Sequence, residues 1–482
     1  MAETNGKRMI LSPENRERWG LHYLGISLIL AWYYCLWFTP NFFASTSITD
    51  TNVTFSWLAT LLLTGVAFLA TPFFTKKLRF WEHPGITVGF AVATSIATVA
   101  FGSVAQAVAT PLFSLFAFPI LFGIGNAVIW VAWGEFHARR RSTFSLGKFV
   151  LVFGVTIFAT VAIAALLPHY VTNVFVASMP LASAFVYVRE NRELGDSELP
   201  VLLPKATRAK AFRATVIISL AISITCMACY FNIAIIPTED LLPDGLSYTV
   251  GIMFAALVCF ATALVQKMTG KAASYRILPW FIVACIVGLA LFVNGDRLFF
   301  NASFVITVML AGVMEVFLVA YFGALSVKGH LSAVFAFAIS SAVVRLGFFV
   351  GDALAVAYEH NEFLYEGFTR ETSLLFICLL AAMIIALLRQ EHAILQLTKA
   401  PIGPSEIEQV CDAAIEEFAL SKREGEVLKY IARGYTVDNI SKKLVISPYT
   451  TQTHVRHIYS KMHVHKRSEL LDYINMHRGE NE

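Results

Sequence analysis

Near the C-terminus, the run SPYTTQTHVRHIYSKM (447–462) carries the residues best suited to recognition chemistry. At helical spacing Val455, Ile458 and Met462 share one face, which leaves Gln452, Thr453, Arg456 and His457 on the other. Such a face can enter a DNA major groove, where Arg grips guanine and Gln grips adenine through paired hydrogen bonds. Thr450, Lys461 and the basic pair Lys442 and Lys443 are better placed to meet phosphates. A second set of groups lies far upstream in apolar surroundings. Glu315 and Arg345 interrupt two hydrophobic segments, where a charge is expensive and points to function. Counted at ~1.5 Å per residue they sit within several Å of the same depth, close enough to pair. Such a pair either braces two helices or faces a ligand or proton. Asn126 and Asn232 are further ligand or switch candidates, and Asp352 lies near the outer end of the segment that holds Arg345.

The elements that carry these groups follow from composition. Of 482 residues, 57% are hydrophobic and only 15% charged, whereas soluble chains are about one quarter charged. Twelve apolar segments recur: 20–38, 53–74, 85–104, 108–133, 146–166, 169–188, 214–236, 248–266, 277–294, 301–323, 331–356 and 372–388. Segments of about 20 residues cross a bilayer as helices, which satisfy their own backbone hydrogen bonds. The first follows a polar stretch without a small-residue cleavage site and reads as a retained span. The expected fold is therefore all-α, a polytopic bundle of twelve transmembrane helices with a lipid bilayer as its solvent. Its aromatic runs AWYYCLW and VIWVAW either line an internal pocket or anchor the bundle at the interface.

Basic residues orient the bundle. With the N-terminus cytoplasmic, 21 Lys and Arg flank the inner ends of the spans, against only Arg297 and Arg370 outside. An even number of spans returns the C-terminus to the cytoplasm, so both termini are expected inside. The chain thus divides into a cytoplasmic segment 1–19, a membrane domain 20–388, a connecting region 389–417 and a C-terminal domain 418–482. The longest inner loop, 189–213, splits the spans six and six.

Pro401, Gly403 and Pro404 break the chain after the last span. Residues 405–417 then form an amphipathic helix, with a capping-box pair at Ser405 and Glu408 and a charge of −5. Its apolar stripe must be buried against the following domain or against a second chain, and in the latter case it offers a route by which the membrane domain controls pairing of two readers. Helices are expected over 424–432, 436–444, 447–462 and 466–477, with VIS as the turn between the second and third. Two short helices across a three-residue turn suggest a helix-turn-helix within a four-helix domain.

The stretch LSKREGEVLKYIARGYTVDNISKKLVISPYTTQTHVRHIYSKMHVHKRSELL resembles the LuxR/NarL-type DNA-binding domain. Leu420, Glu424, Glu426, Val427, Leu428, Ala432, Gly434, Ile440, Leu444, Ser447, Thr450, His454, Ile458, Lys461, Val464, Arg467 and Glu469 carry the match. The resemblance implies that Gln452, Thr453 and Arg456 contact bases, and that promoter DNA is bound by a homodimer formed through the last helix. Where that family often has a basic residue, Ala and Val, this chain has Gln452, Ser441 and Thr451, which implies an altered target sequence. The six-plus-six layout resembles the major facilitator superfamily, although that family's loop signature between spans two and three is not visible in TPFFTKKLRFWEHPG. The whole arrangement is similar to membrane-bound LuxR-type regulators of gut actinobacteria.

Two functions fit. One is a one-component transcription regulator that senses a small molecule through its spans and binds promoter DNA through its tail. The other is a facilitator-type secondary transporter with a regulatory DNA-binding tail. The chain has no G-x-x-x-x-G-K-[ST] and no Cys/His array at ligand spacing, so neither enzyme, cofactor nor metal is expected. The seven cysteines read as small apolar side chains. The charge asymmetry makes topology testable: reporter fusions after Arg389 should report cytoplasm, and fusions within 238–247 or 359–370 should report the exterior.

Overall fold

The computed structural model describes residues 20–42, 51–75, 78–104, 112–142, 144, 147–195, 197–203, 205–237, 241–242, 246–269, 274–390 and 404–476. The N-terminal segment 1–19 and the break at Pro401 and Gly403 lie outside the described residues. The chain forms two compact units, one of residues 1–199 and 209–399, the other of Pro200–Arg208 with Ala400–Glu482. Among the described residues all regular structure is helical.

The first unit contains twelve long helices: α1 (Leu24–Phe38), α2 (Thr51–Phe74), α3 (Pro84–Val104), α4 (Leu112–Arg140), α5 (Lys148–Leu166), α6 (His169–Leu194), α7 (Lys205–Ile235), α8 (Leu246–Thr269), α9 (Ser274–Val293), α10 (Arg297–Val327), α11 (Ala333–Glu359) and α12 (Glu362–Arg389). Eleven are long and apolar enough to cross a membrane, and α9 adds a shorter apolar stretch, Ile277–Val293. Helices such as α7 and α10, 31 residues each, outrun the apolar segments read from sequence. Helical hydrogen bonding continues into polar residues once a span has formed, whereas hydropathy registers only the lipid-facing part.

Helices α1–α6 pack among themselves, as do α7–α12, and the pairs α2–α11 and α5–α8 form the principal seam between the halves. Close approach depends on small residues. On α11, a Cβ at Gly347 or Gly351 would fall 2.7 Å from the Ser223 carbonyl oxygen or 2.1 Å from that of Met227 on α7. Large apolar side chains such as Phe73, Leu166 and Trp280 cover the outside. The tryptophans of the two aromatic runs do not. Trp32, Trp37, Trp130 and Trp133 are all buried in the core of the bundle.

In the loop between α2 and α3, Trp81 is held by contacts from α4 and α6. Its backbone N–H donates to Glu135 on α4 (3.3 Å), its carbonyl accepts from Asn191 on α6 (3.0 Å), and the Arg139 guanidinium lies 4.0 Å over its ring.

The second unit holds α13 (Pro404–Glu417), α14 (Lys422–Ala432), α15 (Val437–Leu444), α16 (Pro448–Lys461) and α17 (Arg467–Met476). Caps set these boundaries. Ser421 and Glu424 form a reciprocal capping box, and Thr436 and Ser447 cap α15 and α16. The side chains of Ser405 and Glu408, the expected capping pair of α13, lie outside the described residues. The stripe of α13 is buried within its own unit: Val410, Cys411 and Ala414 join the core around Val427, Leu428, Ile458 and Leu470. Asp412 pairs with Lys429 (2.6 Å), and Tyr473 donates to Glu417 (2.5 Å). The acidic helix thus packs on the four-helix reader and supplies part of its core, the first of the two partners expected for its stripe.

In the turn between α15 and α16, Val445 adopts φ 53° and ψ 49° with 89% of its surface exposed. A β-branched side chain in this left-handed region is strained by roughly 1–2 kcal/mol. Val445→Asn should therefore raise the unfolding free energy of a 404–482 fragment by about 1 kcal/mol, measured by denaturant titration.

Candidate functional site

The DNA-facing candidates converge on one surface of the second unit. Gln452, Arg456 and His457 are exposed on α16, and Thr453 is half-buried, its hydroxyl donating to the Tyr449 carbonyl (3.1 Å). The opposite face is fixed by buried Ile458 and Met462, with Val455 packed against them. Lys442, Lys443 and Thr450 are exposed at the end of α15 and the start of α16, and the Thr450 hydroxyl also lies 2.7 Å from that of Ser447. Lys461 is placed differently. Its ammonium donates to Glu424 (2.8 Å) and to the Ala419 carbonyl (3.2 Å), so it braces α16 on α14.

Ser441 and Thr451 do not face outward. Both are buried and their hydroxyls meet at 2.8 Å between α15 and α16, so these two departures from the family pattern compensate each other and leave Gln452 as the one on the reading face. Sequence reasoning took them singly; their spacing of ten residues across the turn was the available signal. Arg467 also braces the fold, donating to the Tyr435 carbonyl (2.9 Å).

Glu424 is the electrostatic centre of this scaffold. Burial alone would raise its carboxyl, but hydrogen bonds from Lys461 and Ser421 outweigh that effect and hold it at about 2.

In the first unit, Glu315 on α10 and Arg345 on α11 form an ion pair, Nη2 to Oε2 at 2.9 Å and to Oε1 at 3.1 Å, with both residues 1% exposed. Ser341 adds a donor to Oε1 at 3.3 Å, and the guanidinium lies 3.9 Å over the ring of Tyr33 on α1. The pair thus ties α10 and α11 to a helix of the other half. Among the described residues, Arg345 Nε and Nη1 have no hydrogen-bond acceptor and the Tyr33 hydroxyl has no hydrogen-bond partner. Around them, the Trp57 ring lies 5.8 Å from Tyr33 and 5.7 Å from Tyr230, and the Tyr230 ring lies 4.0 Å from Phe348. Asn232 belongs to a separate network, donating to Ser303 (2.8 Å) and Thr307 (3.2 Å) about 12 Å along α10 from Glu315. Asn126 is buried within α4. The aromatic walls from α2 and α7 were not singled out by sequence, since each is one aromatic among many.

A DNA-reading helix-turn-helix carried on a multi-pass membrane bundle is the class that these two units define. Residues 419–474 match the luxR family of bacterial regulatory proteins, so the C-terminal domain is of LuxR type. This region is 35% identical over 72 residues to the oxygen regulatory protein NreC of Staphylococcus epidermidis, spanning 15% of this chain and 33% of that protein. It is 38% identical over 61 residues to the fimbriae Z protein of Salmonella typhimurium, 13% of this chain and 29% of that one. The chain therefore spans about a third of the length of the curated relatives it matches. The membrane bundle is similar to the crystal structure of a bacterial homologue of the iron transporter ferroportin in an outward-facing state. That likeness has a TM-score of 0.52 at 13% identity, covers 76% of this chain and 97% of the other, and speaks to the fold alone. The major facilitator superfamily transporter FucP in its outward conformation also aligns, with a TM-score of 0.48 at 11% identity, over 76% of this chain and 97% of that one.

The Glu424 contacts have a pH signature. With its folded value depressed from 4.5 to about 2, the carboxylate's contribution is present above its ordinary value and is lost as pH falls through about 2. The melting temperature of the 404–482 fragment should fall between about pH 5 and pH 2. In Lys461→Met the folded value lies closer to the ordinary one, so the decline should be smaller and should end at a higher pH, as followed by circular dichroism.

Proposed function

We propose that this protein is a one-component transcription regulator embedded in the bacterial inner membrane, with both termini cytoplasmic. It binds a small molecule between its helix halves and promoter DNA, as a homodimer, through its C-terminal domain. The observation that carries this reading is the presence, on one chain, of a LuxR-type reader with its recognition face exposed and a helical bundle with an incompletely paired charge site at its centre. Gln452, Thr453 and Arg456 are the base readers of this proposal, and Lys442, Lys443 and Thr450 the phosphate contacts. Lys461 acts on DNA through the shape of the domain. Glu315 and Arg345 serve the ligand site, while Asn126 and Asn232 hold helices together.

The likeness of the bundle to transporters favours a second reading, a secondary transporter with a regulatory tail. Accumulation of a solute in proteoliposomes without any effect on DNA binding would support that reading against the sensor.

The test uses DNA selected from random sequence by the 404–482 fragment. Arg456→Ala should cost about 1–3 kcal/mol on the selected site and relax preference at one base pair. Lys442→Ala should weaken all sequences alike and reduce the slope of log affinity against log salt by about 1. Equal loss on every sequence for both variants would remove Arg456 as a base reader.

A further inference from the structure

The structure assigns the central site of the bundle to an organic cation, with Asp352 as the residue that receives its ammonium group. This deepens the sensor reading and rests on it for the site's physiological use.

Asp352 is 6% exposed on α11, and its Oδ2 has no hydrogen-bond partner among the described residues. It follows Arg345 by seven residues and Phe348 by four, so the three lie along one face of the helix, with the two charges about 10 Å apart. Phe348, one turn before Asp352, lies 4.0 Å ring to ring from Tyr230, which in turn stacks on Trp57 at 5.7 Å. Tyr33, Trp57, Tyr230 and Phe348, contributed by both halves of the bundle, thus form a run of ring contacts from beneath Arg345 to within one turn of Asp352.

Charge decides what such a site takes. Glu315 and Arg345 neutralise each other at 2.9 Å, whereas Asp352 has no ion-pair partner among the described residues. With all three ionised the site carries one net negative charge inside a low-dielectric bundle, where an unpaired ion is costly. An anion entering here would meet two carboxylates and an arginine already engaged. An ammonium ion instead neutralises Asp352 and lies against the faces of Trp57 and the tyrosines, whose quadrupoles favour cations. The two unsatisfied N–H groups of Arg345 then select a hydrogen-bond acceptor at the far end of the same molecule.

The approach carries the same sign. At the end of the bundle where α10 begins, α11 ends and α12 begins, Asp296, Glu359, Glu362, Glu366 and Glu371 are exposed, against the exposed Arg370. This field raises the local concentration of cations and repels anions. Trp57 of the first half stacks on Tyr230 of the second, so a molecule entering between them parts the halves, which links occupancy to their separation.

The test measures binding to the purified full-length protein in detergent by calorimetry, with phenethylammonium as the cationic probe and 3-phenylpropanoate as an anion of the same ring and similar length. Phenethylammonium should bind at least ten-fold more tightly. Asp352→Asn should lose at least ten-fold of that affinity while eluting as a single folded species, and Asp352→Glu should retain most of it. If the Asn variant does not purify folded, the wild-type preference and the Glu variant decide. Equal or tighter binding of 3-phenylpropanoate, no binding of either probe, or unchanged cation affinity in Asp352→Asn would overturn the assignment. Selective cation binding with no effect on DNA binding or transcription would leave the assignment standing and refute the sensor reading instead.

Discussion

A guanidinium buried among membrane-spanning helices is tolerable only if its charge is neutralised where it sits, and the Arg345–Glu315 pair meets that condition. Both side chains are almost wholly inaccessible, so the pair cannot be exchanged for water without separating helices. Removing one partner of such a pair costs about 3–5 kcal/mol, because the remaining charge is stranded. The contact therefore fixes α10 against α11, and the stacking of Arg345 on Tyr33 extends the constraint to α1 in the other half. Gly347 and Gly351 add to it by letting the backbone of α11 run close to α7. The halves of the bundle thus meet at a polar centre whose hydrogen-bonding capacity is only partly used.

The C-terminal domain solves a different problem, which is to hold a recognition face rigid while leaving that face unengaged. Its charged groups are divided between the two tasks. Glu424, Lys461, Arg467, Asp412 and Lys429 are engaged with one another or with backbone carbonyls, and they tie the helices of the domain together. Gln452, Arg456, Lys442 and Lys443 are left exposed. The Ser441–Thr451 hydroxyl pair serves the scaffold, since it joins the two helices on either side of the turn at a buried point, where the hydroxyls also reach the Val437 and Ser447 carbonyls.

The acidic helix α13 shows why burial had to be seen. Its stripe had two possible partners, the adjoining domain or another chain, and Val410, Cys411 and Ala414 lie in the core of its own domain, with Ile415 packed beside them. A mechanism in which α13 alone slides out to pair with a second copy would expose that core. The helix is thus part of the reader's own body, and Asp412, Glu416 and Glu417 lie on its surface.

The sequence by itself determined the all-helical class, the apolar segments and the LuxR-type domain, because these follow from short-range patterns: runs long enough to cross lipid, caps at fixed offsets and a dense local motif. It also singled out Glu315 and Arg345, since charges in apolar runs are conspicuous one at a time. The tertiary structure alone decided what those charges touch. The pairing at 2.9 Å, the Tyr33 ring beneath the guanidinium, the aromatic walls from α2 and α7, and the unpartnered oxygen of Asp352 join residues separated by up to hundreds of positions. Tertiary structure likewise engaged the exposed Lys461 with Glu424 and the Ala419 carbonyl, and turned Ser441 and Thr451 inward. Such outcomes depend on which faces of packed helices meet, and hydropathy, which registers how apolar each residue is, carries no information about which helix its neighbour belongs to.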